Sequence, residues 1–148
     1  MPVDVVVERR VRRPRTVVAA FATDPANDTR WIGALTSVRV LTDGPSGVGS
    51  RVERVAAFIG KRIEYVNEVV EHRPGERLVM RSVRAPFPMT VTYEFEGDDD
   101  ASSVARIRAA GDPEGVYRLA APLLAAMVRR GIARDLATLQ RVLEGTGA

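Results

Sequence analysis

At 148 residues the chain is long enough for one ordinary domain spanning 1–148 that buries roughly two thirds of its unfolded surface, and no second domain is expected. It has no cysteine and one histidine, which excludes a disulfide framework and a thiolate nucleophile and argues against a metal centre; neither metal nor cofactor is expected. A net charge of +3 does not by itself point to nucleic acid: Lys61 is the one lysine, and most arginines are spread among Asp and Glu.

The valine-rich stretch 3–11 predicts a half-buried first strand, broken by Arg12-Arg13-Pro14. Residues 16–22 then predict a short helix that Asp24-Pro25 stops, and a second short segment, 26–35, contains Trp31. Six strands follow, at 37–42, 49–59, 62–71, 77–83, 89–96 and 102–110, separated by turn signals such as Asp43-Gly44-Pro45-Ser46-Gly47 and Arg73-Pro74-Gly75-Glu76. The clearest period of two is in 89–96, with Met89, Val91, Tyr93 and Phe95 on one face and Thr90, Thr92, Glu94 and Glu96 on the other. Short connections predict an antiparallel meander, with the first strand at an edge or closing the curve.

Residues 113–144 read as one long helix, with Asp112 able to cap it, Pro113 at its first position and Gly145 beyond its end. From 116 to 128 its one charge is Arg118, so this half is expected to be covered nearly all round; from Arg129 onward Ile132, Leu136, Leu139 and Leu143 form an apolar stripe opposite arginines. The uncharged run is shorter than the ~20 residues a membrane span needs. The start, Met-Pro-Val-Asp-Val-Val-Val-Glu-Arg-Arg, lacks the order of a signal peptide, so a cytoplasmic location is expected.

Several stretches together resemble the polyketide cyclase/dehydrase and lipid-transport family of the START-like (birch-pollen-allergen-like, SRPBCC) superfamily. They are Val-Arg-Arg-Pro-Arg-Thr-Val-Val-Ala-Ala-Phe-Ala-Thr-Asp-Pro at 11–25, Arg30-Trp31, Gly47-Val48-Gly49-Ser50-Arg51, Gly60-Lys61-Arg62, Glu71-His72-Arg73-Pro74 and Leu-Ala-Thr-Leu-Gln-Arg-Val-Leu-Glu at 136–144. The resemblance covers essentially the whole chain. It implies an α+β helix-grip fold: a seven-stranded curved antiparallel sheet wrapped around a long C-terminal helix, with two short helices after strand 1. It further implies an apolar cavity between sheet and helix, and it supplies no fixed catalytic set.

Period-two reasoning places Met80 beside Met89, Val91 and Tyr93 on the inner face, with Tyr65, Arg54 and Phe58 on the neighbouring strands. Opposite them the helix offers Tyr117, Ala120, Leu123, Leu124, Met127 and Val128, and Trp31 and Phe87 are candidates for the cavity mouth. Each has a plainer reading as core or rim. Tyr65, Tyr93 and Tyr117 either orient a ligand oxygen or are ordinary tyrosines; Arg54 and Asn67 either polarise a ligand oxygen or enolate or sit on the strand surface. His72 is expected in solvent, and Asp24 and Asp28 are expected to cap or terminate the short helices rather than form a carboxylate pair.

Three functions remain open. The first is binding of a small hydrophobic polyketide, aromatic or lipid-like ligand, with or without cyclase/dehydrase-like activity. The second is a non-enzymatic, co-chaperone-like interaction module, dimerising through the apolar helix or the sheet edge. The third is an anion or nucleic-acid contact through Arg9, Arg10, Arg12, Arg13 and Arg15, a cluster that otherwise reads as a solvated strand end without the aromatic platforms of a single-strand binder. No nucleic acid and no membrane span are expected.

Overall fold

The alternating strands and Gly-rich turns build one sheet around one face of a helix. A computed structural model describes residues 2–58, 60–97 and 100–145. Strand β1 (Val3–Val11) is followed by α1 (Arg15–Ala22), a 3-10 turn (Pro25–Asn27) and α2 (Asp28–Trp31). Then come β2 (Leu35–Val40), β3 (Arg51–Phe58), β4 (Lys61–Arg73), β5 (Arg77–Arg84), β6 (Met89–Glu96) and β7 (Ser103–Gly111), and finally α3 (Val116–Leu119) and α4 (Ala121–Leu143). The strand order is β1-β7-β6-β5-β4-β3-β2, antiparallel throughout, so β1 joins the meander at the edge beside β7. Gly75, at φ 78°, makes the β4–β5 turn, a conformation in which a side chain would be strained.

The expected single helix over 113–144 is two. Pro122 has no N–H to give to the carbonyl four residues back and belongs in the first turn of a helix, so α4 begins at Ala121 and α3 is a separate turn entered from Gly115 rather than capped by Asp112. The first half is not covered all round either: Val116 is 80% exposed, Leu119 92% and Leu123 62%.

Two apolar clusters flank the inner face. The larger packs Leu136 and Leu139 of α4 onto Val11, Val18, Trp31, Tyr93, Phe95 and Ile107. Full burial of each leucine contributes about 1.5–3 kcal/mol. The smaller sets Leu124 against Val3 and Val5, with Phe87, Tyr117 and Ala120 at its margin.

On the outer face the arginines meet carboxylates across strands. Arg106 binds Glu8 and Glu96, Arg108 binds Asp4, and Arg51 binds Glu68. Within the cluster at the end of β1, Arg9 bonds Gln140, Arg10 donates to Ser102 at 3.0 Å and Arg12 pairs with Glu144 at 3.2 Å. Arg15 donates to the Gly75 carbonyl at 3.1 Å. These arginines tie the first strand to the end of α4 and to the neighbouring turns.

Candidate functional site

Register decides which side chains look inward. Across β5, β6 and β7, Met80 pairs with Val91 and Val91 with Ala109, while Leu78 pairs with Tyr93 and Tyr93 with Ile107. On the other side of the sheet Arg54 pairs with Tyr65 and Val52 with Asn67. Leu78, Tyr93 and Ile107 belong with Leu136 and Leu139 of α4 to one buried cluster, and Tyr93 and Ile107 also border the open space beside it. One row along, Val91 and Ala109 are short, and α4 carries Val128 and Ile132. A cavity of about 290 Å³ is left there, close to the lower end of the range for small-molecule sites.

Of the residues expected to line such a cavity, Trp31, Arg54, Tyr65, Met80, Phe87, Met89, Val91, Tyr93 and Val128 do so. Five others do not reach it. Leu123 points to solvent, Leu124 is taken up by Val3 and Val5, Ala120 and Tyr117 pack at the margin of that cluster, and Met127 is half-buried outside the lining. Tyr117 and Ala120 precede α4, whereas Leu123 and Met127 lie on α4 but off the Val128–Ile132–Asp135 stripe, and Leu124, one turn before Val128, meets β1. Phe58 ends β3, and its side chain lies outside the described residues. Tyr117 instead packs on Phe87, ring centroids 5.5 Å apart, and Phe87 with Ala85 and Pro86 carries the lining to the surface through the β5–β6 loop.

Trp31 is not a gate at the rim. It is 2% exposed, edge-on to Tyr93 at 5.9 Å between centroids, and its indole N–H has no partner among the described residues.

The polar groups come from three elements. Arg54 on β3 is inward and buried, and its Nε and Nη2 each lie 2.8 Å from Asp28 Oδ2. Asp28 ends the 3-10 turn at its C-cap position, its N–H donating to the Pro25 carbonyl, while its side chain is the counter-ion of the buried arginine; Asp24 caps the same turn with its side chain, accepting from the Ala26 N–H at 3.0 Å. Burial pushes the Asp28 carboxyl up and the Arg54 charge opposes this; the guanidinium, penalised by the same burial, is held charged by Asp28. Arg54 Nη1 has only the Met80 sulfur, 3.9 Å away. Tyr65 and Tyr93 both line the cavity, neither hydroxyl makes a hydrogen bond among the described residues, and burial raises both phenols, so they remain protonated donors.

Asp135 of α4 completes the polar set, and sequence reasoning missed it. Its Oδ1 accepts the Gly33 N–H at 3.0 Å, and burial pushes its carboxyl up. The signal was present in the spacing: Val128, Ile132 and Asp135 lie four and three residues apart on one helical stripe. Ile63, Asn67 and Ser82 also line the cavity, Ser82 Oγ accepting the Met89 N–H at 2.9 Å.

A smaller cavity of about 30 Å³ shares Arg54, Met80 and Tyr93 as a wall and is lined beyond them by Asp28, Ser50 and His72. His72 is half-buried rather than in solvent, because the bulge between Val69 and Glu71 turns it to the side of its partner Leu78. No helix among the described residues is long and apolar enough to cross a membrane, and no cluster of His, Cys, Asp and Glu there could hold a metal ion.

Solved structures share this architecture. The protein TTHA0849 from Thermus thermophilus superposes with a TM-score of 0.83 at 17% identity, over 98% of this chain and 99% of that one. The Zhui aromatase/cyclase from Streptomyces sp. R1128 does so at 0.77 and 17%, over 98% of both chains. A START superfamily protein from Mycobacterium smegmatis gives 0.72 at 12%, over 97% and 95%. No curated protein matches the sequence. At such identities these likenesses establish the fold. The profile of the family described as polyketide cyclase / dehydrase and lipid transport matches residues 2–144, and the chain belongs to that family.

Proposed function

We propose that the protein holds one small, mainly apolar molecule of the polyketide, aromatic or lipid-like class between its sheet and α4. The observation that carries this is the hollow itself: about 290 Å³ enclosed by mainly apolar walls with a few inward polar groups, Arg54, Tyr65, Tyr93 and Asp135, beside the buried cluster around Leu136 and Leu139. Family membership supports the same reading. Arg54 and the two phenols are the donors that a developing enolate would need, and this favours cyclase- or dehydrase-like chemistry as the finer version.

Trp31, the sole tryptophan, lines the cavity and makes the test direct. Titration with a naphthalene-sized ketone should change its emission saturably, and Val128→Phe should abolish the change while the protein stays folded by circular dichroism. Saturable binding unaffected by Val128→Phe would place the ligand elsewhere and sink the reading.

A second reading, self-association, draws on the exposed Val116, Leu119 and Leu123. Light scattering over a concentration series should then show a dimer that Leu119→Arg disperses; a monomer at all concentrations removes it.

A further inference from the structure

Charge is unevenly matched around the cavity. Among the described lining residues only Arg54 and Asp135 are fully charged types. Arg54 has its counter-ion in Asp28, which sits on the side of the smaller cavity, so the pair presents no net charge to a guest. Asp135 has no ion pair among the described residues: one oxygen takes the Gly33 N–H, the other makes no hydrogen bond there, and Arg134, next to it on α4, acts on the carboxylate only from beyond ion-pair distance. The lining thus carries one carboxylate without an ion pair beside donors that no oxygen engages, namely Arg54 Nη1, which has only the Met80 sulfur, and the hydroxyls of Tyr65 and Tyr93.

We propose that the cavity selects neutral molecules carrying both a ketone-type acceptor and a phenol-type donor, and rejects carboxylates, fatty acids included; this rests on reading the cavity as a ligand site. A ketone oxygen accepts from Arg54 and a tyrosine hydroxyl. A phenolic hydroxyl donates to the free oxygen of Asp135, a charge-assisted bond stronger than one between neutral groups. A carboxylate guest gains the same donors but brings a third anion to a site with one cation, and it leaves its hydration shell to do so. Rejection is therefore built in as repulsion, the usual way a site separates guests of the same shape.

Four guests built on one naphthalene frame test this by isothermal titration calorimetry at neutral pH: 6-hydroxy-2-acetonaphthone, 2-acetonaphthone, 2-naphthol and 2-naphthoate. The hydroxy-ketone should bind about tenfold more tightly than either singly substituted neutral guest, as one added hydrogen bond allows. Naphthoate should bind at least tenfold more weakly than acetonaphthone. In Asp135→Asn, which keeps an oxygen for Gly33, naphthoate should gain about tenfold and the hydroxy-ketone should lose several-fold. Tyr93→Phe should weaken the two ketones and leave naphthol unchanged.

Naphthoate binding as tightly as acetonaphthone in the wild type overturns the selection and leaves the ligand site standing, and this comparison needs no variant to fold. Naphthoate affinity indifferent to a folded Asp135→Asn assigns any discrimination elsewhere and also overturns it. Failure of all four guests to bind removes the ligand site and the selection together.

Discussion

The two ends of α4 meet the same sheet and do opposite things with it. Toward its C-terminus Leu136 and Leu139 fill the space over Tyr93, Phe95 and Ile107, whereas toward its N-terminus Val128 and Ile132 stand over Val91 and Ala109 and leave a hollow. The side chains differ in volume: Tyr93 and Ile107 face the leucines, whereas the short Val91 and Ala109 face Val128 and Ile132. Stability is concentrated at the filled end, and the hollow is tolerated because its walls are apolar and its charged arginine is paired.

That division is open to breakage. The Arg54–Asp28 pair stands at the border, and Asp28→Ala, by leaving a buried guanidinium alone, should cost about 3–5 kcal/mol in urea unfolding. Leu136→Ala at the filled end should cost about 2–5 kcal/mol by the same measurement, since its cavity has no slack to close. At the hollow end Val128→Phe should move stability by no more than about 1 kcal/mol while removing guest binding, because it adds bulk to open space instead of a filled core. A cost there as large as that of Leu136→Ala would show that both ends are equally packed.

Effects at the surface should be smallest. Leu119→Arg should change unfolding free energy by within about 0.5 kcal/mol, as its side chain already lies in solvent. Glu144 is held down to about 2, first by the Arg12 backbone N–H and then by the Arg12 guanidinium and Gln140. A lowered carboxyl contributes its stability above the ordinary value of 4.5 and loses it as the pH falls through the folded value. The melting-temperature gap between wild type and Glu144→Gln should accordingly be widest above pH 4.5 and close toward pH 2.

Much of this was legible in the chain. Alternation in β6 set its own inner face and, through cross-strand register, that of β5, which is why Met80, Val91 and Tyr93 stand where period two puts them. Arg54 was readable as inward on the same ground. Its partner was not, because an aspartate where two short helices meet is already explained by ending one of them, and only the ion pair across to β3 reveals its second role. The break at Ala120 could have been read from Pro122, but the apolar run around it imitates one continuous helix. Asp135 was masked by the arginines of the polar face, and His72 by a bulge that shifts the alternation midway along β4.

One feature of the sheet bears on how the molecule is made. β1 pairs along its whole length with β7, joining residues 3–11 to 103–111, so the first strand waits for nearly all the others before it has a neighbour. Such distant pairing makes for slow assembly, and α4, which rests on β1, comes to its seat only afterward. The chamber therefore exists only in the finished protein. A guest that binds there should leave the refolding rate almost untouched and lengthen the lifetime of the native state, acting as a lock on unfolding rather than as a template.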